Sequence, residues 1–175
     1  MTRGGRWLVA ITGLAALAAA AVYAPIPCLG HIRVPVRIGT PAGGRVEKSD
    51  DEWRAALTPE QYRVTRRQGT ERAFCGALLT QKADGVYSCV CCGQPLFDAG
   101  GRFESGTGWP SFFRPVDDNA VSLYEERDAF GVRTEVTCSR CDAHLGQVFA
   151  DGPRPTGRRY CTNSAALAFT PRPAP

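Results

Sequence analysis

A mostly β domain of the α+β class, entered through short helices, is the fold this 175-residue sequence predicts, and three observations carry it. Beyond Gly69, short segments rich in Val, Tyr, Phe and Thr alternate with turns built from Gly, Pro and Asp, as antiparallel strands do. Just upstream, two helix-capping patterns follow one another. Two Cys-x-x-Cys units, at Cys89–Cys92 and Cys138–Cys141, lie within the strand-like stretch at a spacing that suits one cation.

In chain order, the first element is the run from Trp7 to Ala24, 18 residues without a charge, preceded by Arg3 and Arg6. As a helix it would reach roughly 27 Å, enough for a bilayer core. It has no polar face, unlike a surface helix of a globular protein. Residues 1–29 are therefore expected to form an N-terminal apolar helix, either a membrane anchor or a signal peptide cut after Ala21. A cut after Ala24 would set Pro25 beside the scissile bond, and Pro-Ile-Pro is a poor lipid-attachment context for Cys28. The body is expected outside the cytoplasm, periplasmic in a bacterium, and linked to the membrane through this segment if it is retained. Residues 30–48 carry Pro, Gly and Arg without periodicity and read as a linker.

Ser49-Asp-Asp-Glu52 is a capping box, so a helix should run from about Asp50 to Leu57. Thr58-Pro59-Glu60-Gln61 is a second, with proline at the first helical position, and its helix should stop before Gly69. Strands are expected over Val86–Val90, Ala120–Arg127, Val132–Thr137, Gln147–Ala150 and Leu167–Thr170, with Asp128–Gly131 as a hairpin loop. Residues 49–170 read as one domain and 171–175 as a proline-rich tail.

Charge narrows the function. Five of the 21 basic residues (Arg3, Arg6, Arg33, Arg37 and Arg45) and no acidic residue fall in the first 45 positions, which leaves 16 basic against 17 acidic side chains in the body. The formal charge of +4 thus belongs to the N-terminus, and the body offers no basic footprint for nucleic acid.

Four thiolates from two turns complete a tetrahedral Zn²⁺ site, so Cys89, Cys92, Cys138 and Cys141 are the expected ligands. Local disulfides and redox dithiols are the rival readings. A redox Cys-x-x-Cys belongs to a βαβ unit, of which there is no sign. A cation with four protein ligands has no open position, so the zinc is expected to be structural, and Gly93 eases the first turn. Cys91 reads as a small buried filler. Cys161 lies outside both units, after Arg158 and Arg159 and shortly before Asn163. Guanidinium groups beside a thiol favour the reactive thiolate, though a buried structural thiol is the plainer alternative.

Four further motifs surround the cysteine pairs: Gly69-Thr-Glu-Arg-Ala-Phe-Cys75-Gly76, Ser105-Gly-Thr-Gly-Trp-Pro-Ser-Phe112, Cys141-Asp-Ala-His144-Leu-Gly-Gln147-Val-Phe149 and Gly157-Arg-Arg-Tyr-Cys161-Thr-Asn-Ser164. Together they resemble the zinc-containing peptide methionine-R-sulfoxide reductases, from about Trp53 to Phe169 and including Pro59–Thr65. The resemblance implies two antiparallel β-sheets with a structural zinc. It implies Cys161 as nucleophile, within an Arg159-Tyr-Cys-x-Asn163-Ser motif. The reaction it implies starts with attack on the sulfoxide sulfur, leaves Cys161 as a sulfenic acid, and passes through a disulfide that an external dithiol reduces.

Many members of that family carry a second cysteine in Ser-Gly-x-Gly-Trp, where this chain has Thr107. Others place it in the Thr-Glu-Arg-x-Phe-Cys segment, so the resemblance assigns the resolving role to Cys75, with Cys91 and Cys28 as the remaining candidates. Trp109 would wall the substrate methyl group, with Phe112 beside it. The family's His-Leu-Gly-His reads His144-Leu-Gly-Gln147 here, and a glutamine can donate a hydrogen bond but supply no proton. His144, with a water held by Asn163, would therefore serve the sulfoxide oxygen. Implied partners are proteins carrying methionine-R-sulfoxide and a thioredoxin-like dithiol reductant. Met1 is the only methionine, which suits an enzyme exposed to oxidant. The alternative is a zinc-stabilised β module that has lost catalysis and binds a protein partner, with Thr107 and Gln147 as marks of decay.

Overall fold

The computed structural model describes residues 32–128 and 131–173. The apolar run Trp7–Ala24, Cys28, the two central residues of the expected hairpin loop and the end of the tail lie outside the described residues. Among the described residues no helix is long and apolar enough to cross a membrane.

Both capping boxes form as their residues dictate. In α1 (Asp50–Ala56) the Ser49 side chain accepts from the Glu52 N–H while the Glu52 carboxylate accepts from the Ser49 N–H. In α2 (Pro59–Arg66) Thr58 and Gln61 exchange the same pair of bonds. Trp53 is the buried residue of α1, and the Arg66 guanidinium lies over its ring.

Among the described residues, one strand before the helices and nine after them form two antiparallel sheets: β1 (Ile32–Arg37), β2 (Gly85–Cys89), β3 (Pro95–Asp98), β4 (Arg102–Phe103), β5 (Ser111–Phe112), β6 (Val121–Asp128), β7 (Gly131–Cys138), β8 (His144–Phe149), β9 (Arg159–Thr162) and β10 (Leu167–Pro171). The larger sheet has the order β1-β6-β7-β8-β9-β5-β4, and the smaller β10-β2-β3. Buried aromatic side chains fill the core. Phe112 stacks on Phe97 with ring centroids 4.5 Å apart and meets Tyr87 edge-on at 4.9 Å, a favoured arrangement for ring quadrupoles.

The expected linker at 30–48 is corrected by β1, which pairs with β6 along the edge of the larger sheet. Its pattern hid it. Ile32, Val34 and Val36 are exposed, so the alternation carries no core signal, and Pro35 inside the run is tolerated because an edge strand can spare an N–H. The remaining short strands, β3, β4, β5 and β9, also lay outside the expected set. They span two to four residues, too few for a period to show.

Register then aligns residues distant in sequence. Pro35 faces Tyr124, Tyr124 faces Glu135, Glu135 faces Gln147, Gln147 faces Cys161 and Cys161 faces Ser111. Directly paired residues share a face, so this row crosses the larger sheet on one side.

Candidate active site

The two Cys-x-x-Cys units fold into turns of the same construction. The Cys89 N–H donates to the Gln94 carbonyl and Gly93 donates back to Cys89, while Cys138 donates to Ala143 and Asp142 donates back to Cys138. Each turn closes on a left-handed residue, Gly93 at φ 73° and Asp142 at φ 57°. Glycine adopts that conformation freely, and aspartate is among the side chains that tolerate it. The sulfurs of Cys89, Cys92, Cys138 and Cys141 all lie within 4.8 Å of one another, a cluster that could hold a metal ion. It joins the end of β2 in the smaller sheet to the end of β7 in the larger. Four thiols in one small volume fit a soft cation of tetrahedral preference, with no ligand position left for chemistry. Cys91 is half-buried rather than fully buried. Its Sγ is 3.8 Å from Arg66 Nη2, which is equally far from Cys141 Sγ.

Cys161 is outside this cluster, on a cavity of about 310 Å³ whose walls include Thr107, Trp109, His144, Gln147, Arg159 and Asn163. Side-chain alternation along β9 explains the placement. Cys161 and Arg159 share the cavity face with their partners Gln147 and Phe149, while Tyr160 turns into the core. Gly146 permits the close approach of β8 to β9, since a Cβ there would sit 2.0 Å from the Cys161 carbonyl oxygen.

Phe112 departs from expectation. It pairs with Tyr160, shares that residue's core-facing side and is fully buried against Phe97, so it belongs to the packing beneath the site and not to a substrate wall. Trp109 does line the cavity, with its indole N–H donating to the Glu71 carbonyl at 3.1 Å.

The expected low-pKa thiol is also corrected. Burial pushes the Cys161 thiol above its ordinary range, and the opposing pull of Arg159 and of a hydrogen bond with Thr107 is the smaller effect. Arg159 is engaged elsewhere: Nε and Nη2 bind both carboxylate oxygens of Asp151 at 2.9 and 2.8 Å, and its guanidinium lies over the Phe149 ring. Arg158 turns toward the Tyr160 hydroxyl instead. Thr107 ends a chain of hydroxyls, bonded to Ser105 at 2.8 Å, which is bonded in turn to Ser111 at 2.8 Å.

His144 is buried and reaches Glu135 through Nδ1 at 2.7 Å. Glu135 is nearly inaccessible, yet it stays ionised, because its partners His144 and Arg33 outweigh the desolvation that opposes them. Asn163 is largely committed. Its carbonyl accepts from the Glu71 N–H at 2.8 Å and its amide donates to the Leu145 carbonyl at 3.0 Å, leaving one amide hydrogen for the cavity it lines. Cys75 is exposed on a loop and is not among the cavity-lining residues.

Two functional positions had no role at the level of sequence. Glu71 binds the cysteine-bearing loop to the end of β9, its carboxylate accepting from the Ser164 and Ala165 N–H groups at 2.7 and 3.0 Å. Only its place in the Thr-Glu-Arg motif hinted at this. Glu135 carried one available signal, a charged residue among the four buried positions that end β7.

A family profile described as the SelR domain matches residues 57–171. The peptide methionine sulfoxide reductase MsrB of Pseudomonas putida is 54% identical over 128 residues, which span 73% of this chain and 98% of that protein. The chain belongs to the MsrB family. Further MsrB proteins from Hahella chejuensis and Methanosarcina mazei are 57% and 54% identical, covering 71% and 74% of this chain and 90% and 92% of their own lengths. The family match begins after β1 and α1, so Arg33 lies outside it.

Proposed function

We propose that the chain reduces methionine-R-sulfoxide in peptides and proteins, with Cys161 as nucleophile and Cys75 as resolving thiol. The observation that carries this reading is the division of labour among the cysteines. Four are gathered at the ends of two strands, while Cys161 lines an open cavity with an indole on one side and an imidazole backed by a carboxylate on another.

In the first step the sulfur of Cys161 attacks the sulfoxide sulfur. The oxygen passes to Cys161, the thiol proton ends on that oxygen, and methionine departs, leaving a sulfenic acid with no net change in protons. His144, oriented through Nδ1 by Glu135, presents its other ring nitrogen to the sulfoxide oxygen, and Gln147 adds a neutral donor. Trp109 packs against the methyl group. In the second step the Cys75 thiol displaces hydroxide from the sulfenic sulfur, forming a disulfide and water. A thioredoxin-like dithiol then exchanges with that disulfide. This requires the exposed Cys75 loop to swing toward the cavity. The four-cysteine cluster would hold Zn²⁺, and its task is to fasten the two sheets. The body would work outside the cytoplasm, fed by reductant from a membrane thiol relay.

The test is turnover of a peptide bearing racemic methionine sulfoxide with dithiothreitol, each epimer followed separately. Consumption of the R epimer alone is expected. Survival of both epimers with folded, metal-loaded protein would end the reductase reading.

A further inference from the structure

We propose that β1, which precedes the family-matched region, belongs to the catalytic apparatus: Arg33 is a positioning residue that fixes Glu135 and, through it, the imidazole of His144. The inference rests on the reductase reading given above and extends it to a segment that the family match does not include.

The geometry begins with the edge pairing. β1 runs antiparallel to β6 with Arg33 opposite Glu126 and Pro35 opposite Tyr124. From there the Arg33 guanidinium lies over the Tyr124 ring, 3.4 Å from its centroid. It thereby reaches diagonally into the next strand, where Nε donates to Glu135 Oε2 at 2.7 Å. The other oxygen of that carboxylate meets His144 Nδ1 at 2.7 Å and Gln68 Nε2 at 3.2 Å. The Glu135 side chain is 1% exposed. A buried carboxylate needs its charge met by protein groups, because water cannot reach it.

Two cations face Glu135, and they differ in kind. Arg33 never loses its proton, whereas His144 can. Other charged groups nearby do not substitute for Arg33. Arg66 donates to the Cys141 carbonyl and covers Trp53, and Arg67 is paired with Asp50. Asp142 and Glu126 are acids, Arg133 is exposed opposite Glu126, and Gln68 is neutral. With Arg33 in place, the carboxylate is satisfied whichever form His144 takes. Without it, the imidazolium becomes the only close cation for a buried carboxylate, so it is held to higher pH and becomes a weaker acid toward the sulfoxide oxygen. The chain leading out of the N-terminal segment therefore bears on proton donation about three strands away.

The experiment uses the full chain loaded with zinc, as wild type, Arg33→Ala, Arg33→Lys and Arg33→Gln. Turnover of a peptide carrying methionine-R-sulfoxide with dithiothreitol is followed from pH 6 to 10. For Arg33→Ala the alkaline limb of kcat should move up by about one pH unit. Its plateau should fall about threefold to tenfold while KM changes less than about twofold. Arg33→Lys should restore most of the wild-type profile. Arg33→Gln keeps the stem and a donor but loses the charge, so it should shift like alanine, and it serves if the alanine variant does not fold. Superimposable profiles for wild type and folded Arg33→Ala or Arg33→Gln, with only a lowered melting temperature, would make β1 a plain edge strand and overturn the proposal. An inactive wild type would instead defeat the reductase reading, and the proposal with it.

Discussion

The sulfurs of Cys89, Cys92, Cys138 and Cys141 lie within 4.8 Å of one another at the ends of two strands, whereas Cys161 opens onto a cavity of about 310 Å³ lined by no other cysteine among the described residues. Residue type does not separate the two regions, since both are thiols and both are at least half-buried. Neighbours do. Each thiol of the cluster finds another thiol three positions away in the same turn and two more across the fold, an arrangement suited to sharing one cation. Cys161 finds an indole, an imidazole, a guanidinium already bound to Asp151, and a threonine hydroxyl. The first environment makes sulfur structural, and the second leaves it free to react.

Substitution at the two regions should break this comparison most visibly. Cys161→Ser is expected to abolish turnover of the R epimer while metal content and melting temperature stay at wild-type values. Cys138→Ser is expected to lose the metal and at least about 4 kcal/mol of stability, in the range seen when a metal site is lost. Metal release assays and thermal melts on both variants check this. Retained metal in Cys138→Ser, or metal loss in Cys161→Ser, would reverse the roles.

Two aromatic residues of one motif sharpen the contrast between scaffold and site. Phe112→Ala should cost about 3–5 kcal/mol in denaturant unfolding, because it empties a stacked position in the core, with KM nearly unchanged. Trp109→Ala should do the opposite, lowering kcat/KM roughly tenfold or more with a far smaller stability loss.

This pair also marks how far the sequence could be read. Trp109 and Phe112 sit three positions apart in one motif, and only the register of β5 against β9 sends the second into the core. The capping boxes and the cysteine pairs were legible because each is a local device, complete within a few residues. β1 was not, because its apolar side chains face solvent and its partly buried residues are the charged Arg33 and Arg37. The lone nucleophile candidate was legible as a motif, but its protonation was not. The arginine beside it in sequence is bound to Asp151, and the burial that raises its thiol comes from several strands.

Alkylation of Cys161 measures that protonation. Burial raises the thiol, so the thiolate is scarcer at neutral pH than in a free cysteine. Its iodoacetamide rate, read by peptide mass spectrometry, should therefore keep rising past the pH at which free cysteine levels off. Arg159→Met removes the larger opposing pull and should move the profile further up. Thr107→Val should move it in the same direction by less, since it removes only a hydrogen bond. A profile below that of free cysteine would show that Arg159 outweighs burial after all.

The most direct measurement is a single turnover without reductant. Full-length, zinc-loaded protein is mixed with one equivalent of a peptide carrying methionine-R-sulfoxide, and every cysteine is then mapped by mass spectrometry beside a metal assay. The expected result is one methionine formed, one disulfide linking Cys161 to Cys75, and the metal still bound by Cys89, Cys92, Cys138 and Cys141. A disulfide within that cluster, with metal released and Cys161 still a thiol, would contradict the division between the two regions.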